Sequence, residues 1–201
     1  MSYLNEMLEM LRPSTSEPYL LRKLGDYTDI NTLKNIAMAA FILMLANGIS
    51  ILLLNAQNVA GLAPADPYLD IILQFIDYAL FFYVSSYILY LVAKVLKGKG
   101  KFREQIYLQS VVAVALSLIQ GLLIVLTSVP ATSDPLLIIL LSLPLLFAGL
   151  YTIYMDYKVV KVAHKLERKT AIFSIIGFWL TIFAVYFIIY AGVYMLTGQG
   201  A

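Results

Sequence analysis

Residues 170–201 read TAIFSIIGFWLTIFAVYFIIYAGVYMLTGQGA, 32 positions without one charged side chain. The hydrocarbon core of a bilayer is about 30 Å thick and a helix rises about 1.5 Å per residue, so about 20 apolar residues cross it. This run is longer than that, and working back along the chain the same pattern recurs. Residues 135–155 hold 21 uncharged positions, residues 105–133 hold 29 and residues 35–65 hold 31. Residues 71–93 hold 23 with a single charge, Asp77. Spans are predicted near 35–54, 69–94, 105–127, 136–157 and 170–196. Each must be helical, because a lone strand would leave backbone amides unpaired in lipid. The alternation of a membrane barrel is absent.

The composition agrees. Of 201 residues, 61% are hydrophobic and 13% charged, and the mean hydropathy is +0.84. Soluble domains carry roughly 25% charge. A chain this small could not hide so much apolar surface from water. A water-soluble enzyme, a nucleic-acid-binding domain and a disordered chain are therefore excluded. With no Cys, disulfide scaffolds and thiol-ligated metals are excluded as well. The fold class is an all-α integral membrane protein: a five-helix transmembrane bundle with short N-terminal amphipathic helices. Residues 1–33 form an N-terminal amphipathic segment and residues 34–201 the membrane domain.

The 14 basic residues give an orientation. Arg12, Arg22, Lys23 and Lys34 precede the first span. Lys94, Lys97, Lys99, Lys101 and Arg103 separate spans two and three. Lys158, Lys161, Lys165, Arg168 and Lys169 separate spans four and five, and no other segment carries one. With five spans, all three segments fall on one side of the membrane. The positive-inside rule makes that side the cytoplasm and puts the C-terminus outside, in a multi-pass protein of the cell membrane. These basic loops either retain the helices or also attract anionic lipid or an acidic partner. No signal peptide is read in the first 30 residues, which contain five acidic side chains, so this region is expected to stay on the protein.

Leu4, Met7, Leu8 and Leu11 share one face of a first short helix ended by Pro13. A second is predicted from about Ser16 to Leu24, stopped by Gly25. Both either lie on the bilayer surface or pack on the bundle. Pro64, Pro67, Pro130 and Pro135 mark outer turns, and Pro144 is expected to kink the fourth span. Most of the Tyr residues fall near interfaces, where an amphipathic ring is favoured.

Little chemistry is available. Lys97-Gly98-Lys99-Gly100-Lys101 has the wrong spacing for a phosphate loop and reads as the tight turn of a helical hairpin, with positive φ expected at Gly98 and Gly100. The one His, His164, falls in a loop and reads as solvated. No Ser–His or metal site is expected within the membrane, and neither a catalytic residue nor a cofactor. Asp77 is the best single candidate, because a carboxylate in hydrocarbon is costly. Asp70, Gln74 and Asp77 share a helix face directed towards protein. That face is either a neutral, hydrogen-bonded structural group, a proton or solute pathway, or a contact with another subunit.

Two stretches resemble the Yip (Ypt-interacting-protein) family. In Tyr90-Leu-Val-Ala-Lys-Val-Leu-Lys-Gly-Lys-Gly-Lys-Phe-Arg-Glu-Gln105, a helix ends in a Gly-Lys-Gly turn followed by Lys and an aromatic residue. Tyr151-Thr-Ile-Tyr through His164-Lys-Leu-Glu-Arg-Lys-Thr-Ala171 is similar to the family's aromatic helix end, its His-bearing loop and the basic run before the last span. The resemblance covers roughly residues 30–196 and implies five spans with a cytoplasmic N-terminus. Eukaryotic members act in vesicle transport with small GTPases of the Rab class. Their Asp-Leu-Tyr-Gly-Pro motif and long polar arm are not present here, so the chain looks like the short bacterial and archaeal members, and GTPase binding is not carried over. The expected function is a non-enzymatic scaffold or accessory subunit. Its expected partners are the lipid bilayer, anionic lipid at the cytoplasmic face, and a homo-oligomer or larger membrane complex, with no nucleic acid. The alternative is a small transporter or channel subunit using Asp70, Gln74 and Asp77.

Overall fold

The computed structural model describes residues 3–56, 67–128 and 135–197. These residues form α1 (Tyr3–Leu11), α2 (Ser16–Lys23), a 3₁₀ turn (Leu24–Asp26), α3 (Asp29–Ala56), α4 (Pro67–Val95), α5 (Phe102–Ser128), α6 (Pro135–His164) and α7 (Arg168–Thr197), with no strand among them. Each of the five expected spans lies inside one long helix. Four of these helices are long and apolar enough to cross a membrane, at Asp29–Leu53, Ile72–Val95, Phe102–Thr127 and Arg168–Ile188. Their outer surfaces are apolar too: Leu80, Phe81, Phe183, Phe187 and Ile188 are all more than half exposed. Water would not tolerate such a band, whereas lipid is its natural solvent. Pro64 and Pro130 lie outside the described residues. α6 continues through Pro144 as one helix.

The long helices start where local chemistry permits. The Thr28 hydroxyl accepts the Asn31 backbone N–H at 3.0 Å, an N-cap for α3. At the start of α5 the Glu104 carboxylate accepts the Lys101 N–H at 3.2 Å, one half of a capping box. Helices α3 and α5 approach closely through small residues. Ala39, Ala40 and Ala46 are buried on α3, and a Cβ added at Gly121 would stand 3.1 Å from that of Ala46. Close packing of this kind holds membrane helices together where lipid is as apolar as the side chains.

Two apolar clusters share α6. One joins Met10, Tyr19 and Leu20 to Tyr107, Leu108 and Val112 of α5 and Met155, Val159 and Val162 of α6. The other joins Leu89 and Ala93 of α4 to Val160 of α6 and Ile175 and Phe178 of α7. The charge pattern predicts an end to the fourth span at residue 157 and a loop from there to the fifth. Instead α6 runs on to His164, because Val159, Val160, Val162 and Ala163 all find buried contacts there. Lys161, read as a loop residue, is thus on a helix and partly buried.

The N-terminal hairpin packs on the bundle rather than standing away from it. Its seat is Met10, Ser16, Tyr19 and Leu20, all nearly inaccessible, while Leu8, read as part of the apolar face of the first helix, is exposed. Met10 takes that place because the hairpin turns its Met10 side towards α5 and α6. The Tyr151 hydroxyl donates to the Leu11 carbonyl. The Glu17 carboxylate accepts from Lys158 at 2.5 Å and from Lys161 at 2.8 Å. Burial disfavours the Glu17 carboxylate ion, but the hydrogen bonds from Lys158 and Lys161 outweigh it and hold its pKa below the usual carboxylate range. Stability from Glu17 is therefore fully present above pH about 4.5 and is lost as the pH falls through its folded value. Replacing Glu17 with Ala should cost about 1–3 kcal/mol at pH 7. Thermal unfolding in detergent should show a lower midpoint at pH 7, and a wild-type advantage that shrinks below pH about 4.5.

Candidate functional site

The Lys97–Lys101 stretch joins α4 to α5, and Lys165–Glu167 joins α6 to α7. Both helices before these turns end in the same way. The Gly98 N–H reaches back to the Ala93 carbonyl at 2.9 Å and the Lys97 N–H to that of Lys94 at 3.0 Å. The Leu166 N–H reaches the Lys161 carbonyl at 3.1 Å and the Lys165 N–H that of Val162 at 3.4 Å. These are twin Schellman motifs. The left-handed residue in each is a lysine, Lys97 with φ 66° and Lys165 with φ 52°. The glycines were expected to supply the positive φ, and they do not.

What the glycines supply is space. A Cβ at Gly98 would stand 2.6 Å from His164 Nδ1 and 2.8 Å from the Ala93 carbonyl oxygen. One at Gly100 would overlap the Ala163 carbonyl. With no side chains in the way, the two turns interlock, and the Lys99 N–H donates to the His164 carbonyl at 3.1 Å. Phe102, the aromatic residue after the turn, is ringed by Tyr83, Tyr87 and Tyr90 at centroid distances of 5.5–5.8 Å.

His164 is fully buried beneath Gly98, not solvated. From it a chain of polar side chains runs into the bundle. His164 Nε2 lies 2.7 Å from Gln105 Oε1. The Gln105 amide donates at 3.0 Å to both the Ser86 carbonyl and Gln109 Oε1. The Gln109 amide donates at 3.3 Å to Asp156 Oδ1. Since each glutamine spends its NH₂ on the next acceptor, His164 must carry its proton on Nε2 and donate. All donors point one way, ending on a carboxylate, and bonds ordered like this reinforce one another in an apolar interior. Neutral amides do not pass protons along, so the chain fixes Asp156 in place rather than wiring it to the surface.

Asp156 opens onto a cavity of about 260 Å³ between α4, α5, α6 and α7. Ser85, Ser86, Gln120 and Thr152 add polar groups to its wall, and Tyr78, Phe81, Phe82, Phe178 and Trp179 add rings. Asp156 is the sole charged side chain among the described residues that line it. One helical rise of about 1.5 Å per residue puts it about 12 Å along α6 from His164.

The residues singled out from sequence are elsewhere. Asp77, expected to face protein, has its side chain exposed on the outside of α4, while Gln74 is half-buried. Asp70 belongs to α4, but its side chain lies outside the described ones. Lys97, Lys99, Lys101, Arg103, Lys165, Arg168 and Lys169 are exposed around the interlocked turns. Gln105, Gln109 and Asp156 were missed as a site. Their signal was present in the pair of glutamines at i and i+4 entering an uncharged span, the spacing that puts both on one face. No family model, curated protein or solved structure matches this chain.

Gly98→Ala and Gly100→Ala should each lower stability by at least about 1–3 kcal/mol through overpacking, with Gly100→Ala the worse because its clash is with backbone. Lys97→Gly should instead raise it by about 0.5–1 kcal/mol, the left-handed strain relieved exceeding the entropy added to the unfolded chain. Thermal midpoints in one detergent rank the three variants.

Burial, and then the nearby Lys94 charge, push His164 from 6.5 down to about 4, so the ring is neutral at pH 7. Between pH 6.5 and about 4 the unfolded chain takes up a proton that the folded chain refuses, so stability falls with pH over that window. His164→Gln keeps an N–H for Gln105 and should flatten this loss, as measured by unfolding midpoints against pH.

Proposed function

We propose that the chain is a five-span membrane protein of the Yip kind, with its N-terminus and both basic turns in the cytoplasm. It acts without catalysis, as a scaffold or accessory subunit that offers a fixed basic surface to anionic lipid headgroups or to the acidic face of a partner subunit. The observation that carries this reading is the interlock of the two turns. Lys97, Lys99 and Lys101 on one and Lys165, Arg168 and Lys169 on the other are exposed, and the bond from Lys99 to His164 holds the two groups together. Near an anionic surface each such residue contributes about 1 kcal/mol, within a Debye length of about 8–10 Å. A topogenic signal alone does not require a rigid presentation. The N-terminal hairpin, tied to α6 through Glu17, extends the same end of the molecule.

A reporter that is active only outside the cell should work when fused after Ala201 and fail when fused at Gly98, and the opposite pattern overturns the orientation. For the function, the wild type and a Lys97→Glu, Lys99→Glu, Lys165→Glu variant are purified in mild detergent, and the retained protein and anionic lipid are measured. The wild type should retain one or both, and the variant should lose them. Equal retention by the two removes the basic surface from the function.

A further inference from the structure

From the cavity around Asp156 we infer a second property, a binding site for a small organic ammonium ion carrying an apolar group. Three features of the cavity meet in this ligand.

The first is charge. Asp156 is the one ionisable group on the wall apart from the Tyr78 phenol, and no basic side chain among the described residues lines the cavity. A carboxylate set in an apolar bundle without a counter-charge is expensive, and a cation supplied from outside removes that cost. Among the described residues only Oδ1 of Asp156 is used, through Gln109. Oδ2 remains to accept from a ligand.

The second is an unspent polar group. Ser86 Oγ is buried, its residue 1% exposed, with no hydrogen-bond partner among the described residues. Ser86 is one of the residues that line the same cavity. Buried polar atoms without partners are rare enough to need a reason. An ammonium has up to three N–H donors, enough for Asp156 Oδ2, Ser86 Oγ and one further oxygen.

The third is the aromatic wall. Five rings from α4 and α7 line the cavity, beside its polar groups on α4, α5 and α6. Ring faces attract cations, and most strongly where water is excluded. A bare metal ion would want a full set of oxygens instead, and here Gln109 turns its N–H side towards the carboxylate. The volume of about 260 Å³ lies below the about 300–1,000 Å³ of pockets for drug-sized ligands, so the ligand is small. Phe81 is 68% exposed and Trp179 37%, which places the mouth between α4 and α7 on the lipid-facing side. A cation with an apolar group can partition into the bilayer and enter there.

The molecule provides its own probe, since Trp179 is the single Trp of the chain. Full-length protein in nanodiscs is titrated with phenethylammonium chloride, 2-phenylethanol as the neutral analogue, and sodium chloride, following Trp fluorescence. Phenethylammonium should give a saturable change at least tenfold tighter than the alcohol. In Asp156→Asn, which still accepts from Gln109, that preference should vanish while the alcohol binds as before. Sodium should not compete beyond its effect on ionic strength. Should Asp156→Asn fail to fold, the wild-type comparison of ammonium with alcohol decides by itself. No saturable change, equal binding of alcohol and ammonium, an undiminished preference in Asp156→Asn, or displacement by sodium at equal concentration would each overturn the site.

Discussion

Inside an apolar bundle a polar side chain can find a partner only on another helix or one turn away on its own, and the line His164, Gln105, Gln109, Asp156 is ordered by that constraint. The network spans α4, α5 and α6, because Gln105 also bonds the Ser86 carbonyl. An apolar contact would tolerate sliding of one helix along another. A string of donors and acceptors does not, since a shift of one residue leaves several groups unpaired in a medium where each costs several kcal/mol. The polar chain therefore sets the register of the three helices, while the apolar clusters on either side of α6 supply the bulk of the contact.

The interlocked turns sit directly above this chain. Backbone meets backbone at Gly98, Gly100, Ala163 and His164, and the imidazole fills the space that a side chain at residue 98 would need. The burial of His164, the closeness of the turns and the strained lysines at Lys97 and Lys165 are thus parts of one arrangement. Its surface is basic and its underside is the first link of the polar chain.

Much of the architecture was legible beforehand. The charge-free runs located all five long helices, to within a few residues at most of their ends. Pro13 ended α1, and the aromatic residue after Gly-Lys-Gly proved to be an inserted ring. The errors cluster where a residue's role depends on a partner. His164 looked solvated because it sits among lysines, yet the residues before it continue a helix that buries it. Gly98 and Gly100 looked like sources of backbone freedom, and are needed instead for close approach. Asp77 was singled out because it stands alone in a hydrophobic run, whereas Asp156, at the end of its run, was not.

The local sequence already told that the chain is helical, where its five long helices lie and which ends carry positive charge. Those properties come from the cost of each residue in hydrocarbon, summed locally along the chain. It did not determine how each long helix is turned about its axis. A helix that is apolar all round has no favoured face, so Asp70, Gln74 and Asp77 could share a stripe without revealing where the stripe points. Only the packing of α4 against α5, α6 and α7 decided that. The same packing turned Asp77 outward and Ser86 inward, and brought Gln105, Gln109, Asp156 and His164 into one line around a cavity.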